Sequence, residues 1–125
     1  MNRDLDKKIA ELKGCNTKLE ESTKQWYCDC EHQIHGYSKY DYTPPYLKLY
    51  SSKIEDAWPL FVEMASPKIS YYEYRFLDKK RNHMVFDASF CVEHTDSKPG
   101  YSGVGSALSA SEAICKAWIK WKEAQ

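Results

Sequence analysis

The chain has 125 residues, enough for one domain with one core. Eighteen Lys and Arg balance eighteen Asp and Glu, which excludes the strong positive field of a duplex nucleic-acid binder and leaves little charge to keep copies apart. No apolar run reaches the length of a membrane span, and the charged start MNRDLDKKIAEL is no signal peptide.

Asn2 can cap a first helix, with Asp4 in its opening turn and Gly14 as its stop. Leu5, Ile9 and Leu12 give it a thin apolar stripe, which predicts a helix on the surface or against another subunit. Residues 15–50 lack a clear period but carry Trp26 and six tyrosines, so they read as ordered, with a short strand at 25–30. Ser52-Lys53-Ile54-Glu55 is a capping box, followed by Ile54, Trp58, Phe61 and Ala65 at helical spacing. Pro59 interrupts that pattern, which predicts a kink or a shifted start, and Pro67 closes it.

Residues 68–77 then alternate, with Ser70, Tyr72, Tyr74 and Phe76 on one row and Tyr71, Glu73 and Arg75 on the other. A polar turn at 78–82 leads into a second alternating run, 83–94, whose greasy row is Met84, Phe86, Ala88, Phe90 and Val92. This predicts an antiparallel hairpin with one greasy face and one mixed face, Arg75 projecting from the mixed one. GYSGVGSA at 100–107 reads as a glycine-rich turn running into a last helix opened by Ser109-Ala110-Ser111-Glu112. Ala110, Ala113, Ile114, Ala117, Trp118 and Trp121 form its buried stripe, and Glu112, Lys116 and Lys120 an outer ladder. The expected fold class is α+β: a small antiparallel sheet packed against helices in a single domain.

Four constellations carry chemistry. The first is the glycine turn: Gly103, Val104, Gly105 and Ser106 would bring bare backbone to a phosphate at the helix start, with Lys116 and Lys120 lending charge. Its plainer reading is an ordinary strand-to-helix connection, and it is neither a Walker loop nor a Rossmann fingerprint. The second is Arg75, Arg81, Asn82 and His83, suited to a phosphate and a base edge, or else a solvated turn paired to Glu73 or Asp87. The third is a set of rings, Tyr71 and Phe90 among them, able to stack on a base but more often core. The fourth, Cys28, Cys30, His32 and His35, holds zinc-type ligands at poor spacing; no metal or other cofactor is expected. The five cysteines, an odd count, read as free thiols of a reduced, intracellular chain. No catalytic signature accompanies them: there is no Ser-His-Asp order, HExxH or nucleophile elbow in the sequence.

Two segments, PPYLKLYSSKIEDAWPLFVEM and SASEAICKAWIKW, resemble the phage-encoded α-β-α (ABA) sandwich domain family. The resemblance covers residues 45–125. With the tyrosine-rich segment and the length, it is similar to the Thoeris anti-defence group of that family. It implies a non-enzymatic sponge that sequesters cyclic ADP-ribose isomers made by TIR-domain enzymes, inside the bacterial host cytoplasm, and in some members also cyclic oligonucleotides of CBASS defence. It further implies an α-β-α sandwich and a homo-oligomer, a dimer or dimers grouped into a hexamer, with pockets near subunit contacts. No binding residue comes from the resemblance. The ligand set rests on the side-chain chemistry: Tyr71, Arg75, Arg81, Asn82, His83, Phe90, Gly103, Val104, Gly105, Ser106, Lys116 and Lys120. The alternatives are a cyclic-nucleotide hydrolase, and a protein–protein inhibitor that uses the tyrosine-rich surface.

Overall fold

The computed structural model describes residues 3–21, 24–28, 47–75 and 82–125. Among these the order is α1 (Arg3–Leu12), β1 (Thr17–Glu20), β2 (Gln25–Cys28), α2 (Ile54–Glu63), β3 (Lys68–Arg75), β4 (Asn82–Val92), β5 (Tyr101–Ala107) and α3 (Ala110–Glu123). The class is α+β. β1 and β2 form a small antiparallel ribbon, and β3, β4 and β5 a three-stranded antiparallel sheet with β4 in the centre. The expected strand at 25–30 is β2; its partner β1 was not visible in the sequence.

α3 lies across the inner face of β4 and β5. The register aligns Phe86, Ala88, Phe90 and Val92 of β4 with Ala107, Gly105, Gly103 and Tyr101 of β5. Ala88, Phe90 and Ala107 join Ala113, Ile114, Ala117 and Trp118 of α3 in one buried cluster. Ile9 from α1 and Ala57, Leu60, Phe61 and Met64 of α2 complete it, so the three described helices share one core. α3 begins as its sequence predicts: the Ser109 hydroxyl accepts the Glu112 amide at 3.2 Å.

α2 departs from expectation in two ways. Its N-cap is Lys53, with no side-chain cap, so the capping box does not form. Its core row is Ala57, Leu60, Phe61 and Met64, while Ile54 and Trp58 are half exposed. The helix runs from Ile54 to Glu63 with Pro59 inside it.

The hairpin forms as expected, but with a different pairing of rows. Greasy Ala88, Phe86 and Met84 stand beside Ile69, Tyr71 and Glu73, while Ser70 and Tyr72 stand beside Asp87 and Val85. Alternation along each strand does not determine which rows meet; the register does.

α1 docks on its own chain. Gly14 closes it with a left-handed φ of 95°, the Cys15 amide reaching the Ala10 carbonyl at 3.0 Å and the Gly14 amide the Glu11 carbonyl at 3.0 Å, a Schellman arrangement. Asp6, fully buried, accepts the Ser51 amide at 2.8 Å and Arg3 Nη1 at 2.7 Å. Arg3 also donates to the carbonyls of Leu47 and Lys48. This clamp ties α1 to the segment before α2. Cys15 is disulfide-bonded while Cys91 and Cys115 are free thiols, which corrects the expectation of five free thiols.

Burial raises the Asp6 carboxyl above its ordinary 3.8, offset in part by the Ser51 amide and Arg3. Such a group holds its proton more tightly folded than unfolded. Its contribution to stability is therefore full below 3.8 and is lost as pH rises through the folded value. Asp6→Asn removes the titration. Its stability relative to the parent is expected to rise from acidic to neutral pH in urea melts; a fall over that range would mean that Arg3, not burial, governs the group.

Candidate functional site

The glycine-rich stretch is not a turn. Tyr101–Ala107 is strand β5, an outer strand of the sheet. Gly105 is buried beneath α3: a Cβ there would lie 2.5 Å from the Ala113 carbonyl oxygen and 2.7 Å from Lys116 Cβ. A Cβ at Gly103 would meet the Phe90 ring at 2.8 Å. Both glycines make room for the protein's own helix and ring, not for a ligand. Phe90, 3% exposed and edge-on to Tyr101, is likewise core and unavailable for stacking on a base.

What the structure brings together is Val104, Ser106, Lys116 and Lys120. Strand and helix geometry explain the match. Val104 and Ser106 are two residues apart, so both present their backbone groups to the outer side of β5, about 7 Å from one another. Lys116 and Lys120 are four residues apart on α3, about 6 Å along its axis. Lys120 Nζ donates to the Val104 carbonyl at 2.6 Å, and Lys116 Nζ to the Ser106 carbonyl at 3.1 Å. The lysines thus occupy the acceptors of this edge. The amides of the same two residues point the same way, so donors and positive charge dominate it. Asp87, beside Ser106 in the register, accepts the Ser106 hydroxyl at 2.6 Å. It places one negative charge at the Ser106 end and leaves the Val104–Lys120 end the more attractive to an anion. Asp87 was not among the expected residues; its place became readable once the stretch was known to be a strand.

The remaining expected residues lie elsewhere. Tyr71 is on β3, on the inner row and 69% exposed, leaning on Phe86 with ring centroids 6.1 Å apart. His83 stands half-buried on β4. Arg75 and Asn82 face one another in the β3–β4 register. Arg81 lies outside the described residues, as do Cys30, His32 and His35 of the metal cluster. Among the described residues no group of His, Cys, Asp and Glu is placed to hold a metal ion. Arg75 lies on β3, across the central strand from the lysine edge of β5, and Asn82 and His83 lie on β4 outside the span, Phe86 to Val92, that pairs with β5.

Two grooves on the described surface take neither group. One of about 510 Å³ runs along α1 past Asp4, Lys7, Lys8 and Glu11, and one of about 380 Å³ lies beside Val92, Pro99, Tyr101 and Gln125. Buried Cys115 and Tyr50 are both pushed to high pKa, first of all by burial, which makes Cys115 an inert thiol and keeps the Tyr50 hydroxyl protonated.

No protein-family model, no curated protein and no solved structure matches the chain.

Proposed function

We propose that this chain binds a phosphate-bearing cyclic nucleotide and holds it intact: a phage anti-defence sponge for a cyclic ADP-ribose isomer, and in a second capacity for cyclic oligonucleotides, acting in the host cytoplasm. The observation that carries the reading is the pair of lysine ammoniums on the β5 edge, each with one hydrogen bond spent on a strand carbonyl and the others available. Ammonium and backbone amides suit a phosphate, and holding one needs no general base. Micromolar or tighter capture requires about −8 kcal/mol or better, more than one open edge supplies. The reading therefore includes homo-oligomers in which a second copy closes the site. The outer row of the sheet, including Ser70, Tyr72, Cys91 and Ser102, is exposed in the single chain. A full α-β-α sandwich belongs to the same proposal.

Calorimetry with cyclic ADP-ribose isomers and cyclic dinucleotides tests binding. Denaturing the complex and recovering the ligand tests its fate: intact ligand supports sequestration, and cleaved product would replace it with hydrolysis. Lys116→Gln with Lys120→Gln keeps a donor for each carbonyl and removes both charges. We expect affinity to fall about 30-fold with the melting temperature unchanged, on the scale of one or two charge-assisted hydrogen bonds. Unchanged affinity would remove this edge from the site.

A further inference from the structure

The two outer strands of the three-stranded sheet present different edges. The Cys91 amide donates to the Ala65 carbonyl, ahead of β3, at 3.0 Å. Odd-numbered residues of β4 therefore turn their amides and carbonyls toward β3. Their partners in the register are Lys68, Ser70, Tyr72 and Tyr74, so Ile69, Tyr71 and Glu73 turn theirs to the outer edge. On β5 the outward carbonyls include those of Val104 and Ser106, and Lys120 and Lys116 occupy them. On β3 no described residue bonds the outward groups of Ile69 and Tyr71, and every residue from Lys68 to Glu73 is exposed. The strand contains neither a proline nor a bulge, the devices by which natural sheets protect an edge.

We infer that this edge takes an extended segment of another protein, which joins the sheet as a further strand beside β3. The inference goes beyond the proposed nucleotide site, which lies on the other edge, and does not depend on it. Hydrogen bonding sets the class of partner. The outward amides and carbonyls of Ile69 and Tyr71 recur every second residue, the spacing that an added strand matches. Side chains set its pattern. Residues opposite Ile69 and Tyr71 lie on the inner row, beside side chains 37% and 69% exposed, a place suited to β-branched residues. Lys68, on the outer row, makes no ion pair among the described residues and favours an acid opposite it. That charge selects a different protein over a second copy. The acid of β3 is Glu73, on the other row from Lys68. Antiparallel self-pairing through the outward residues sets odd-numbered residues opposite odd and even opposite even, so no such register brings Glu73 opposite Lys68.

The probe is the peptide acetyl-Thr-Val-Thr-Val-Glu-amide, which in antiparallel register sets its valines opposite Tyr71 and Ile69 and its glutamate opposite Lys68. Heteronuclear NMR titration of the full chain is expected to show saturable shifts at the Ile69 and Tyr71 amides. Methylating the two valine nitrogens, whose amides face β3, is expected to weaken binding at least about 10-fold, and methylating the threonine nitrogens, which face away, is not. Ile69→Pro removes an outward amide and leaves the β4 ladder intact, so it is expected to lose binding and keep its melting temperature. Lys68→Glu needs no change of backbone: it is expected to weaken binding about 3-fold, restored when the peptide's glutamate is replaced by lysine. Nucleotide affinity is expected to be the same with and without peptide, so either reading can fail alone. A parent that shows no saturable binding, or equal weakening by the two methylations, overturns the inference. So does a parent that self-associates in sedimentation and is dissociated by Ile69→Pro, since a second copy then occupies the edge.

Discussion

Trp118→Ala is expected to lower the free energy of unfolding by about 3–5 kcal/mol, a large share of the 5–15 kcal/mol typical of a domain. Trp118 is the largest fully buried side chain, central to the cluster that joins α1, α2, α3 and the sheet. Its indole also has a polar anchor, Nε1 donating to Glu63 Oε2 at 3.0 Å. Glu63 is held in turn by Lys122 at 3.5 Å and Lys13 at 3.9 Å. The alanine variant loses the ring's burial and leaves a cavity that a helix packed on three sides closes poorly. Trp118→Phe separates the parts: it keeps most of the ring, loses the Nε1 bond, and is expected to cost about 1–2 kcal/mol. Denaturant melts of the two variants measure both terms. A loss under 1 kcal/mol for Trp118→Ala would mean that α3 is not the keystone of the core.

α3 was legible because every local signal in it agrees. Ser109 caps it, Glu112 follows at the third position, and Ala113, Ile114, Ala117 and Trp118 fall on one stripe, all fully buried. Gly14 was legible as a stop for a similar reason, since a left-handed residue is needed where the helix ends. α2 was misread because it is apolar on two sides. The row Ile54, Trp58, Phe61 and the row Ala57, Leu60, Phe61, Met64 both have helical spacing, and periodicity cannot rank them. Small Ala57 lets the helix approach the core, which turns the larger Trp58 outward. Ile54 and Trp58 of the losing row are left about half exposed.

The candidate site was half legible. Lys116 and Lys120 stood out as neighbours on a helix face, and Val104 and Ser106 as members of a suspicious segment. Their relation was hidden, because strand carbonyls receiving the ammoniums exist only if the segment is a strand. Nothing local says so: three glycines among small residues in 100–107 have the composition of a loop. The same hidden fact removed Phe90 from the site, since the strand beside it and the helix above it close over the ring.

Gly105→Ala separates the two explanations of those glycines. If Gly105 existed to let a phosphate approach, a methyl group there would weaken ligand binding and leave the fold alone. The structure gives the opposite expectation. The new Cβ would press on the Ala113 carbonyl and the Ala117 amide, both backbone atoms of α3 that no side-chain rotation can move. Overpacking of this kind costs typically 1–3 kcal/mol, and a collision with helix backbone belongs at or above the top of that range, about 3 kcal/mol. Gly14→Ala is the control. No atom lies within 4 Å of its Cβ position, so only the left-handed φ of 95° is penalised, by about 1 kcal/mol. Thermal melts are therefore expected to place Gly105→Ala well below Gly14→Ala. Should Gly105→Ala melt with the parent, α3 does not lie on the strand as closely as described. The lysines would then have no fixed place on the β5 edge, and the anion site built from them would fall with it.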